Sequence, residues 1–138
     1  MLENYLTKNI SLHGDDIESK RVEIREYFLK TYELYEKLYD IFASDEVYYV
    51  QPEPLRHKLI FYFGHTATFY INKLIIGRYI EQRINPRFES IFAIGVDEMS
   101  WDDLNNSNYE WPSVDEVREY RKKAKYVVLE YIDKCRFT

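Results

Sequence analysis

The positions Ile24, Phe28, Thr31, Tyr35, Leu38 and Phe42 step along the chain by four and three residues. That is the period of one face of an α-helix, and Lys and Glu fill most of the positions between. Asp15 or Asp16 can accept hydrogen bonds from the exposed N–H groups of a first turn that also holds Glu18. The pattern predicts an amphipathic helix over about residues 16–44, with one wet face. A second stripe, Val117, Tyr120, Ala124, Val127 and Tyr131, predicts a helix over about residues 113–135. Ser113 and Glu116 precede it at the spacing in which each side chain satisfies the other's backbone N–H.

The segment LRHKLIFYFGHTATFYINKLIIGRYI between them is different. At 100° per residue its apolar side chains cover nearly the whole circumference, the mark of a buried, central helix. Pro52 and Pro54 suit a restart, and the residue before Pro86 is driven out of helical geometry, so a helix is predicted over about residues 54–83. Residues 85–112 read as irregular: a short helix or turn at Ile91–Ile94, Gly95, then a long acidic loop. The predicted fold class is therefore all-α, one domain of residues 1–138 with three long helices and an irregular segment. Two companions cannot cover a helix that is apolar on every side. A fourth element is expected, from another chain or from sequence beyond these residues, which makes the fold an incomplete four-helix bundle.

Composition narrows the partners. The chain has 138 residues, 46% hydrophobic and 17% aromatic, with 14 Tyr and 8 Phe but only 4 Gly and 4 Pro, which favours long helices. Its net charge of -5 opposes phosphate backbones and anionic lipid, so nucleic acid and membrane surfaces are not expected partners. No basic leader with an apolar run begins the chain, no apolar run is long enough to span a bilayer, and Cys135 is a single cysteine; together these predict a cytoplasmic protein.

Candidate chemistry centres on His65, midway along the apolar segment. Lys58, Asn72 and Tyr79 share its side at heptad spacing, and Phe61 and Phe69 flank it. Buried polar groups must find partners, and spacing alone leaves His65 as either a structurally satisfied histidine or a metal ligand. His57 stands eight residues earlier, about 80° around a helix, and lacks ligand-pair spacing with His65. His13 lies in the N-terminal arm. Asp97, Glu98, Asp102 and Asp103 do not follow calcium-loop order and read as a solvated loop. Cys135 has no activating neighbour in sequence.

Leu55–Leu74, with its Gly-His-Thr, resembles the DinB-like N-terminal domain of 5-histidylcysteine sulfoxide synthase, the ovothiol-pathway relative of the ergothioneine sulfoxide synthases. Ile84–Leu104, Trp111–Arg121 and the opening GDDIESKRVEIREYF are similar to the same family, so the resemblance covers about the whole chain. It implies a four-helix bundle and a non-haem Fe(II) held by three histidines, which joins cysteine to the imidazole of histidine with O2. His65 matches the first iron ligand. The other two come from an H-x-x-x-H-x-E helix that these residues do not contain, and a formylglycine-generating-enzyme-like domain follows it in the family. The resemblance thus implies a partial domain, inactive alone, whose partner is the remainder of such an enzyme or a second copy of the chain; the apolar surface that two companion helices leave uncovered predicts homo-oligomerisation or aggregation. The ergothioneine branch carries arginines where this chain has Asp97-Glu98-Met99, consistent with free cysteine as thiol. Two other readings stand beside it: a non-catalytic helical interaction protein, and a DinB-like metal-dependent thiol transferase.

Overall fold

The Asp16 carboxylate accepts from the Ser19 N–H at 3.1 Å and starts α1, Ile17–Tyr39. In the computed structural model, which describes residues 3, 7–96 and 110–137, α1 is followed by a 3-10 turn at Asp45–Tyr49, α2 at Leu59–Ile76, α3 at Pro86–Ile91 and α4 at Val114–Lys134. Among the described residues the regular elements are all helices, three of them long, with no strand, as the periodicity predicts. They form two compact units, Met1–Ile41 with Val128–Thr138, and Phe42–Val127.

In the first unit α1 buries Phe28 and Tyr32. The predicted stripe is corrected at its end. Leu38 is 55% exposed and the helix stops at Tyr39, because the covered face runs through Phe28 and Tyr32, one turn apart, rather than on to Leu38. Arg21 Nη1 donates to the carbonyls of Ile132 and Cys135, the latter at 2.8 Å, and so satisfies last-turn acceptors of α4. The ring of Phe137 lies 4.6 Å from its guanidinium.

In the second unit α2 is shorter than the 54–83 predicted. At its front, Glu53 accepts the Leu55 N–H through its carboxylate (2.7 Å) and the Arg56 N–H through its carbonyl (3.0 Å), while Gln51 Nε2 donates to the carbonyl of Arg56 (2.8 Å). These local bonds make a turn of residues that the prolines alone suggested were helical. At its back, Arg78 adopts φ 59°, the Arg78 N–H bonds to the Ile75 carbonyl (3.0 Å) and the Tyr79 N–H to that of Leu74 (2.8 Å). This paired closure ends the helix, although apolar residues continue.

α2 buries one side, through Ile60, Phe61, Phe63, Gly64, Ala67, Thr68, Ile71 and Asn72. Phe69, Tyr70 and Ile76 stay 37–56% exposed, so apolar character all round does not bring burial all round. On α4, Val117, Tyr120 and Ala124 are buried as expected and Val114 is buried as well; of the other expected positions Val127 and Tyr131 are only half-covered, and in the first unit the buried α4 residues include Val128 and Ile132.

The Ser113–Glu116 box forms: the Ser113 N–H donates to the Glu116 carboxylate (2.9 Å) and the Glu116 N–H to the Ser113 hydroxyl (3.2 Å). Ser113→Ala should lower stability by about 1 kcal/mol, read as a shift of the urea midpoint with unchanged slope. Among the described residues no helix is long and apolar enough to cross a membrane.

Candidate functional site

The polar stripe on α2 meets carbonyl groups from α3 and the turn after it. Asn72 Nδ2 donates to the Glu89 carbonyl at 2.9 Å, and its Oδ1 accepts from Arg83 Nη1 at 2.7 Å. The Glu89 side chain is fully buried; its Oε2 accepts from the Asn85 N–H (2.7 Å) and the Tyr120 hydroxyl (2.8 Å), with Arg83 Nη1 3.4 Å from Oε1. α3 itself starts where Asn85 Oδ1 accepts the Phe88 N–H at 3.1 Å, with Pro86 in the first turn. One carboxylate thus ties the start of α3, the segment before it and α4 together, and Asn72 adds α2.

Two turns earlier on α2, His65 Nδ1 lies 2.8 Å from the Phe92 carbonyl. A carbonyl only accepts, so Nδ1 carries the proton, and in the neutral ring the lone pair sits on Nε2. That is how metal-binding histidines are commonly oriented, with the second nitrogen donating to a backbone carbonyl. The ring is half-buried among aromatics, stacked on Phe61 (5.5 Å, 8°) and edge-on to Phe69 (5.9 Å).

His57 was expected within the helix and away from His65. It instead precedes α2, with its N–H donating to the Tyr62 hydroxyl at 3.2 Å. Freed from helical phase, its ring stacks on Phe61 at 3.9 Å and Nε2 donates to the Ile94 carbonyl at 3.0 Å. Both histidines therefore stack on one ring and bond to one turn, a convergence hidden by their spacing. Burial pushes the His57 pKa below its ordinary value; the Ile94 carbonyl opposes this, and the nearby His65 adds to it. A depressed histidine pKa means that the unfolded chain binds the proton more readily, so stability falls as pH drops below about 6.5 towards the folded pKa. His57→Phe should flatten that part of the melting temperature–pH curve between pH 7.5 and 5.5.

Trp111 packs on Phe61 (6.2 Å), Phe92 (5.9 Å) and His57 (6.4 Å). Arg121, 1% exposed, donates through Nη1 to the Phe63 carbonyl and the Thr66 hydroxyl, each at 2.6 Å, and stands 4.9 Å from the Phe63 ring. It braces the Gly-His-Thr turn of α2 from α4. Sequence reading missed it because an arginine in a charged helix looks solvated; its place one residue after the buried Tyr120 was the only hint. Leu55–Leu74, the described part of Ile84–Leu104, and Trp111–Arg121 thus meet around His65.

His13 is exposed in the other unit, with its N–H on the Ser11 hydroxyl at 3.2 Å. Cys135 is in that unit too, half-buried. Asp97, Glu98, Met99, Asp102 and Asp103 lie outside the described residues. Among the described residues no three His, Cys, Asp or Glu side chains come together as a metal site. The fit to a three-histidine iron centre is therefore partial: His65 has the orientation of one ligand, and the described residues do not complete a set of three. In comparisons with known proteins, the sequence matches no protein-family model and no curated protein.

Proposed function

We propose that this chain provides the first iron-ligand position, His65, of a non-haem iron(II) sulfoxide synthase that joins cysteine and histidine with O2. The observation that carries the reading is the Nδ1–H bond from His65 to the Phe92 carbonyl, which leaves Nε2 as the coordinating nitrogen in a half-buried aromatic setting. The metal, when bound, supplies the O2 chemistry. The residues of this chain orient one ligand and limit water: the Phe92 turn aims the imidazole, Phe61, Phe69 and Trp111 surround it, and Arg121 fixes the helix beneath it. On this reading the other two histidines come from an H-x-x-x-H-x-E helix outside these residues. The chain alone makes no sulfoxide.

The test mixes the chain with a polypeptide carrying that helix and the following domain of an ovothiol-type synthase, adds cysteine, histidine, Fe(II) and O2, and follows the product by mass spectrometry. Product from the mixture that is lost with His65→Ala supports the reading. Product from the chain alone, or no product from the mixture, contradicts it.

A second reading, an interaction module without catalysis, is favoured by the exposed Phe69, Tyr70 and Ile76. It requires concentration-dependent association in sedimentation that Ile76→Asp abolishes and His65→Ala leaves intact.

A further inference from the structure

We propose that Gly64 and Phe92 form a positioning device that sets which nitrogen of His65 carries the proton. Its purpose rests on the reading of His65 as an iron ligand; its geometry does not.

Gly64 sits inside α2, where glycine is less favourable than alanine by about 1 kcal/mol. Local helix formation gives no reason for it, and packing does. A Cβ at position 64 would lie 2.6 Å from three atoms of the Phe92 ring, well inside van der Waals contact. The ring has no room to retreat: Phe92 is 0% exposed and flanked by Phe88 at 5.7 Å, Trp111 at 5.9 Å and Phe61 at 6.4 Å. Nor is its backbone slack. The Phe92 N–H bonds to the Phe88 carbonyl at 3.0 Å and the Ala93 N–H to that of Ser90 at 3.2 Å, while Asn72 ties α3 to α2 through the Glu89 carbonyl.

The bare backbone at 64 therefore sets how closely the Phe92 turn approaches α2, and that approach places the Phe92 carbonyl 2.8 Å from Nδ1 of the next residue, His65. A methyl group at 64 must push the turn outward, and a displacement on the order of 1 Å takes a 2.8 Å contact out of hydrogen-bond range. Nδ1 then loses its acceptor, and the protonated position is no longer fixed. Gly64 and Phe92 act through His65 and are positioning residues, touching no reactant.

The test reads the ring nitrogens of His65 by long-range 1H–15N correlation in the full 138-residue chain, without iron, at a pH where the imidazole is neutral. The wild-type chain is expected to show Nδ1 protonated and Nε2 bare, and Gly64→Ala to shift the balance to the Nε2–H form while the fold persists. Gly64→Ala/Phe92→Leu, whose shorter and rotatable side chain can make room, is expected to restore the Nδ1–H form. If Gly64→Ala alone does not fold, the double variant is read in its place, and a folded chain with Nδ1 protonated supports the device. An Nε2–H ring in the wild type, a folded Gly64→Ala with unchanged protonation, or a double variant without recovery overturns it. If protonation follows position 64 but iron binding in the reconstituted mixture ignores His65, the ligand reading fails and the positioning device stands.

Discussion

Replacing Glu89 by Ala is expected to remove about 3 kcal/mol of stability, the low end for breaking a buried charged pair because Arg83 is 38% exposed. The loss comes from the groups left behind. The Tyr120 hydroxyl and the Asn85 N–H lose a buried acceptor, and Arg83 keeps only part of its solvation. Glu89→Gln retains an acceptor oxygen and should cost less than half as much. Urea unfolding of the three chains checks this. A Glu89→Ala chain within about 0.5 kcal/mol of wild type, the scale of an ordinary surface change, would mean that the carboxylate does not hold α3 in place.

The second large effect is expected at Phe61. Phe61→Ala should cost about 3–5 kcal/mol, since the side chain is 0% exposed and its neighbours are too tightly set to collapse into the space. The same ring carries both histidines and touches Trp111 and Phe92. Phe61→Leu, which keeps most of the volume, should cost under about 2 kcal/mol and leave the His65–Phe92 bond in place. Calorimetric melting separates the two variants; equal destabilisation by both would show that stacking, and not volume, is what Phe61 provides.

Local signals in the sequence led to the right helices and to most of their caps. Asp16 and the Ser113–Glu116 pair each act where their backbone chemistry says they should, whereas Asn85-Pro86 starts α3 and does not end α2, which stops at Ile76. Hydrophobic period overran both ends of α2. Side chains at Gln51 and Glu53 captured the front, and the left-handed Arg78 closed the back. Period also cannot say which side of an apolar helix is covered, so Phe69 and Ile76 were not distinguishable from Phe61 and Ile71 by pattern.

The site was legible only at His65. Its partner is a main-chain carbonyl 27 positions away, and a carbonyl leaves no trace in residue type. The approach of His57 depends on a non-helical turn, and the burial of Arg121 on one turn of phase along α4. Gly64 was visible as a glycine in a helix, the kind of local disfavour that a close tertiary contact explains.

Iron retention tests the central claim most directly. The chain is titrated anaerobically with Fe(II), alone and with the polypeptide carrying the H-x-x-x-H-x-E helix, and metal co-eluting through gel filtration is counted. The reading predicts no retained iron for the chain alone, one iron per complex in the mixture, and a loss of affinity greater than about 100-fold with His65→Ala, more than removing an outer-shell partner costs. A mixture that holds iron equally well with His65→Ala, or one that holds none with His65 intact, would contradict it.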